Sequence, residues 1–224
     1  MEQIRMGMKD KVDVSIYADP SYSYETMKQI RLSIYSAKDL TGYLDRGFAD
    51  DELEQIRLAL EDGLPIDKWL TDDMYVQQIY EIRIGMYEDL DVSVYANSRY
   101  NWMQMREIRL GLEKKLQVSC YTNYLFSHWQ MQEIRLGLEA GLDVKPYAKL
   151  IFSGTDMKEK REQLLKEKTA KYTTADKLGI DLKSLTKKEF SIFVEENGTK
   201  AFAFIQRIPG NMVTEEDIYE TLKV

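Results

Sequence analysis

The sequence has few of the residues that build disulfide, metal and nucleophilic sites. A single cysteine excludes an internal disulfide, and we expect Cys120 to be a small buried side chain. A single histidine excludes a multi-histidine metal cluster, and we expect His128 to be exposed. Because no P-loop, glycine-rich dinucleotide loop or paired-cysteine motif occurs, the sequence predicts a protein that is not an enzyme and has no cofactor.

Long apolar runs and an excess of positive charge are also absent. No stretch approaches the length of a membrane-spanning helix and no apolar signal region is present, so we expect a cytoplasmic protein without a membrane partner. The first 156 residues hold 18 Lys and Arg against 26 Asp and Glu, and the rest hold 13 against 12. The net charge of −8 in the first part argues against sequence-independent binding of nucleic acid.

The sequence does contain a repeat of 26 residues. One pentad recurs in slightly varied form, beginning at Met1, Met27, Leu53, Ile79, Met105 and Met131, with a degenerate copy at Met157. A period of this length is typical of arrays in which each unit buries its apolar face on its neighbours.

Each unit predicts a long amphipathic helix. With Met1 as position 1, positions 1, 4 and 8 form one apolar stripe, and the apolar position 6 lies on the opposite side. We therefore expect each helix to be sandwiched between neighbours. Position 7 is always small, which we interpret as a place where a second helix crosses closely. Its occupants are Gly7, Ser33, Ala59, Gly85, Gly111 and Gly137.

The ends of the elements are also recognisable. Capping boxes such as Asn101–Gln104 and Ser127–Gln130 begin a helix of about 13 residues, and Gly63 and Gly141 fit its C-terminal cap. An aspartate such as Asp91 then predicts a second helix of one to two turns.

These patterns predict a mainly α protein in two parts. Residues 1–169 form an α-solenoid of about six two-helix repeats, each with a long and a short helix, and a capping helix begins at residue 157. Residues 170–224 form a small α+β module with a β-hairpin around Asn197-Gly198.

The unit M-x-[QE]-I-R-x-G-L-x-x-G-L-D-V-x-x-Y-A resembles repeats of uncharacterised bacterial proteins that are carried by phages and other mobile elements. The resemblance covers residues 1–161, with Met131–Ala148 the closest stretch. It implies a mobile-element setting, in which binding or inhibition of a host protein is expected. No activity follows from it, and residues 170–224 resemble no family.

Position 5 is an arginine in every unit, so a stack of units would align these side chains in a ladder. Guanidinium groups suit carboxylates or phosphates of a partner. The alternative is an internal role, with each arginine paired to Asp at position 13 or Glu at position 9. Positions 2, 9 and 24 vary and carry aromatic residues of the kind that dominates interfaces.

We therefore predict a scaffold that binds an acidic or amphipathic protein partner. The predicted binding residues are Arg31, Arg57, Arg83, Arg109, Arg135, Tyr35, Tyr80, Tyr87, Trp102 and Trp129. The alternative is a mobile-element inhibitor of a host defence complex, or a nucleic-acid-binding protein that uses the arginine ladder.

Overall fold

The computed structural model describes the backbone of residues 1–177 and the side chains of residues 1–169. Within this part of the chain there are eight α-helices and no strands. The helices are α1 (Glu2–Asp10), α2 (Tyr24–Tyr35), α3 (Thr41–Leu44), α4 (Asp50–Glu61), α5 (Val76–Tyr87), α6 (Trp102–Glu113), α7 (His128–Glu139) and α8 (Gly154–Lys177). The prediction of a mainly helical fold is confirmed.

The long helices recur with the period of the sequence. Five of them, α2 and α4 to α7, have 12 residues each. From α1 to α7, successive long helices pack against each other. The isoleucines at position 4 are fully buried at these contacts: Ile30, Ile56, Ile82, Ile108 and Ile134. From α2 onward, the position 6 side chains are half-buried and only Met6 is exposed, so the apolar face opposite the core is less enclosed than the pattern predicts.

The predicted capping boxes begin α6 and α7. Gln104 N–H donates to the Asn101 side chain at 3.0 Å, and the Asn101 N–H donates to Gln104 Oε1 at 2.8 Å. Ser127 and Gln130 repeat this exchange one unit later. The cap fixes which residue opens each helix, and therefore which side chains occupy its first turn.

The second element of the unit is at the short end of the predicted one to two turns. It is a single three-residue 3₁₀ turn in four units, at Val14–Ile16, Ile66–Lys68, Val92–Val94 and Val118–Cys120. In the second unit it is the four-residue helix α3. About six residues separate the aspartate cap from the loop that leads to the next long helix. This length is enough for only one hydrogen-bonded helical turn.

The small residue at position 7 has a different cause from the one predicted. The tyrosine that follows the short element and the valine that begins it occupy the space above it, rather than the backbone of a crossing helix. In the fifth unit, the Tyr121 hydroxyl donates to the Glu107 carbonyl at 3.2 Å, and a Cβ atom at Gly111 would overlap that hydroxyl oxygen. The hydrogen bond recurs at Tyr17, Tyr95 and Tyr147, and each of these units has glycine at position 7.

The C-terminal caps follow the prediction at two units. Gly63 and Gly141 have left-handed backbones, with φ of 73° and 63°, a conformation that glycine adopts without steric cost. The same position in other units is occupied by residues with a Cβ atom, such as Lys115 at φ 55°. The backbone therefore adopts the same left-handed conformation at this position whether the residue is glycine or has a Cβ atom.

The chain divides into two compact units, Met1–Lys158 and Glu159–Val224. The predicted boundary after residue 169 lies inside α8, which runs without a break to Lys177. The predicted hairpin at Asn197-Gly198 lies outside the described residues. No helix among the described residues is both long enough and apolar enough to span a lipid bilayer.

Candidate functional site

An open groove of about 540 Å³ lies between α5 and α6. We call it the central groove, and its upper walls are Val76, Gln77 and Tyr80 from α5 and Trp102 and Arg106 from α6. Tyr80 is 42% exposed and Trp102 is 36% exposed. Each ring therefore has one part packed against the protein and another part open to a ligand.

Helix geometry explains why these side chains converge. Val76 and Tyr80 are four residues apart, as are Trp102 and Arg106, so each pair lies on one face of its helix. The Asn101 cap places Trp102 in the first turn of α6. Gln104, in the same turn, donates from Nε2 to the Phe126 carbonyl at 2.6 Å and so ties α6 to the next unit.

The floor of the central groove is an ion-pair network. Arg109 Nε donates to Glu81 Oε2 at 2.7 Å, and its Nη1 pairs with Glu113 and lies 3.5 Å from Glu88. Burial raises the pKa of Glu81, although the hydrogen bond and charge of Arg109 act against that shift. Burial disfavours the charge on Arg109, but Glu81 and Glu113 outweigh this effect and raise its pKa.

The arginine ladder follows the same rule along the chain. In five arginines of the ladder, Nε donates to the side chain 28 residues earlier, at position 3 of the preceding unit, over 2.7 to 3.0 Å. These pairs are Arg31–Gln3, Arg57–Gln29, Arg83–Gln55, Arg109–Glu81 and Arg135–Glu107.

Most of the guanidinium groups also pair with the position 9 glutamate one turn later, as at Arg57–Glu61 over 2.6 Å. Of the two internal partners predicted, the position 9 glutamate is therefore observed, whereas none of these five arginines pairs with a residue at position 13. Arg31, Arg57, Arg109 and Arg135 are 7 to 8% exposed, and Arg83 is half-buried. Little guanidinium surface is thus left for direct contact with a partner.

The position 3 acceptor is the functional feature that the sequence pattern missed. Its signal is present, because position 3 is Gln in the first three units and Glu in the next three. Both side chains offer an oxygen acceptor to the arginine Nε. These contacts join neighbouring long helices and hold the floor below the exposed residues.

A second open groove, the terminal groove, lies between α7 and the start of α8 and has a volume of about 470 Å³. Its walls include Trp129 and Gln132 from α7 and Lys158 from α8. Trp129 is 61% exposed and its ring lies 4.6 Å from that of His128. This contact places the single histidine beside a candidate binding residue.

The remaining predicted aromatic residues lie apart from both grooves. Tyr35 and Tyr87 end α2 and α5 and are each 66% exposed. Cys120 is half-exposed, in contrast to the prediction, and its thiol donates to the Gln117 carbonyl. The structure therefore brings together Tyr80 and Trp102, and it places Trp129 in a groove of its own.

Within the described part of the chain, no three His, Cys, Asp or Glu residues are grouped so that they could hold a metal ion. No protein-family model, curated protein or solved structure matches the chain. Any functional conclusion therefore depends on the grooves themselves.

Proposed function

We propose that residues 1–158 form an α-solenoid scaffold that binds a protein partner through the exposed face of its long helices, without catalysing a reaction. The observation that carries the proposal is the central groove, where Tyr80 and Trp102 meet from consecutive helices beside Arg106. Aromatic and arginine side chains contribute most to binding energy at protein interfaces. A groove of this kind accommodates apolar side chains of a peptide segment and a neighbouring polar group.

The floor below the groove supports the proposal because its buried polar groups already have hydrogen-bond partners within the protein. Among the described residues, no buried side-chain nitrogen or oxygen lacks a hydrogen-bond partner. The ladder arginines thus hold the helices in position, and the exposed rings above them are available to a ligand. A surface that is ordered before binding loses less conformational entropy on association.

The alternative of nucleic-acid binding through the arginines has less support. Phosphate contacts would require the buried guanidinium groups to leave their carboxylates, and the net charge of −8 over the first 156 residues repels a polyanion. The mobile-element setting implied by the repeat remains a prediction, since no comparison bears on it.

The proposal can be tested by selecting ligands from a phage-displayed library of random 16-residue peptides on the immobilised full-length chain. We expect enriched peptides whose binding is lost in the double variant Tyr80→Ser, Trp102→Ser. The matched control is Tyr124→Ser, Leu125→Ser, which removes two exposed apolar side chains from a loop outside both grooves. Circular dichroism verifies that both variants are folded.

Enrichment that survives the groove variant and is lost in the loop variant would show that the central groove is not the binding surface. Failure to enrich any peptide over an unrelated helical protein would also contradict the proposal.

A further inference from the structure

The central and terminal grooves lie two repeats apart and share two charged positions. Arg106 and Lys158 both occupy position 2 of their units and are 52 residues apart, which is two repeats. Glu81 and Glu133 line the two grooves with the same spacing. Each groove thus combines a position 2 cation from its second helix with a position 3 glutamate from its first helix. Each also has a tryptophan, but Trp102 comes from the second helix of its groove and Trp129 from the first helix of its groove.

The cations of both grooves are free to bind an anion. Neither Arg106 nor Lys158 forms a salt bridge or a side-chain hydrogen bond with any other described residue, and both are exposed. Lys28 occupies the same repeat position in α2, but it is paired with Glu25 at 2.9 Å. The uncharged Gln132 occupies this position in α7.

The net charge limits the kind of ligand. A strongly acidic chain would be repelled by the surface around the grooves, which belongs to a part of the chain with a net charge of −8. A ligand with isolated carboxylates would be attracted only at the two free cations. Each carboxylate also needs an adjacent apolar side chain to cover the tryptophan.

The spacing of the grooves sets the spacing in the ligand. Packed helices lie about 8–10 Å apart, so two grooves separated by two helices are roughly 16–20 Å apart. An extended peptide advances about 3.3 Å per residue, so about five to six residues span that distance.

We propose that the two grooves together bind one extended peptide segment with two acidic residues about six positions apart, each next to an apolar residue. This inference rests on the proposed function, because it names the ligand class of the same surface. The first carboxylate pairs with Arg106 or Lys158, and the second pairs with the other cation. Binding at both grooves by one segment gives an affinity greater than either groove provides alone.

The peptides enriched from the 16-residue library test this inference directly. We expect them to share two acidic residues about six apart with apolar neighbours. Binding of a synthetic, fluorescein-labelled copy, measured by anisotropy, should weaken about threefold to tenfold in Arg106→Gln and in Lys158→Gln. Lys28→Gln is the matched control and should leave the affinity unchanged.

The length between the acids provides a second measurement on the same peptide. Removal of three residues between the two acids should lower the affinity about tenfold or more, to that of a peptide with one acid changed to its amide.

Peptides that need Tyr80 and Trp102 but show no paired acids, or that are insensitive to both cation variants, would overturn this inference and leave the proposed function standing. Loss of groove dependence altogether would contradict both. Binding of a 16-nucleotide single-stranded DNA with an affinity that depends on Arg106 and Lys158 would replace the peptide by a polyanion, and would also overturn the inference.

Discussion

The glycine at position 7 provides a sharp test of the packing between the two elements of a repeat. In Gly111→Ala, the new Cβ atom would overlap the Tyr121 hydroxyl oxygen and lie 2.8 Å from Val118 Cγ1. Tyr121 is fully buried, so its ring has no open space into which it can move. The substitution therefore has two opposing effects on stability: alanine favours the helix more than glycine does, but its Cβ atom clashes with the tyrosine.

The magnitudes decide the sign of the effect. Alanine in place of glycine in an unobstructed helix adds about 1 kcal/mol of stability. Overpacking of a filled site costs about 1–3 kcal/mol, and displacement of the tyrosine hydroxyl loses a hydrogen bond worth about 1 kcal/mol. We therefore expect Gly111→Ala to lower the free energy of unfolding by about 1–3 kcal/mol.

Urea unfolding followed by circular dichroism measures this change, and two further variants isolate its cause. Gly42→Ala is the control, because a Cβ atom there meets nothing within 4 Å and should leave stability unchanged or slightly higher. Tyr121→Phe should cost about 1 kcal/mol in the wild type. In the Gly111→Ala background it should restore stability, because it removes the overlapping oxygen.

The reasoning would be refuted if Gly111→Ala were as stable as the wild type, or if Tyr121→Phe were equally destabilising in both backgrounds. Either result would mean that the Tyr121 hydroxyl does not clash with a Cβ atom at position 111.

Three further predictions concern local features of the repeat and use the same unfolding measurement. Ser127→Ala should lower stability by about 1 kcal/mol because it removes the cap of α7, whereas Ala49→Ser should raise it by a similar amount, because α4 has no side-chain cap. Lys115→Gly should add about 1 kcal/mol at its left-handed backbone, and Gly141→Ala should have the opposite effect. Burial raises the pKa of Glu81, so its contribution to stability is greatest below the pKa of the unfolded chain and is lost as the pH rises through the folded pKa. Glu81→Gln removes this dependence and should gain stability relative to the wild type as the pH rises from the usual pKa of a glutamate to above that of the folded carboxyl. A stability difference that does not change with pH would contradict the raised pKa.

Several features of the fold could be predicted from the sequence because they depend on residues close together in the chain. The caps at Asn101 and Ser127 and the left-handed turns at Gly63 and Gly141 each involve a few consecutive residues. The buried isoleucine stripe follows from helix periodicity alone. The length of the short element was predicted only as one to two turns, because an aspartate cap marks where a turn begins but does not determine how many turns follow.

The candidate site could be predicted only in part. The aromatic residues at the variable positions were predicted to share one free face, and Tyr80 and Trp102 do line one groove. The arginines were assigned to the same face by their helical angle. The angle does not show that their guanidinium groups turn towards the preceding helix and are buried there.

The sequence by itself determined the period, the helix boundaries and the buried stripe, since each of these depends on contacts within one or two turns. Only the tertiary structure decided which residues of neighbouring units face each other. The contact between Arg109 and Glu81 joins residues 28 positions apart, and it depends on the lateral register of two packed helices. That register sets the arginines beneath the surface and leaves Arg106 and Lys158 as free cations beside the tryptophans.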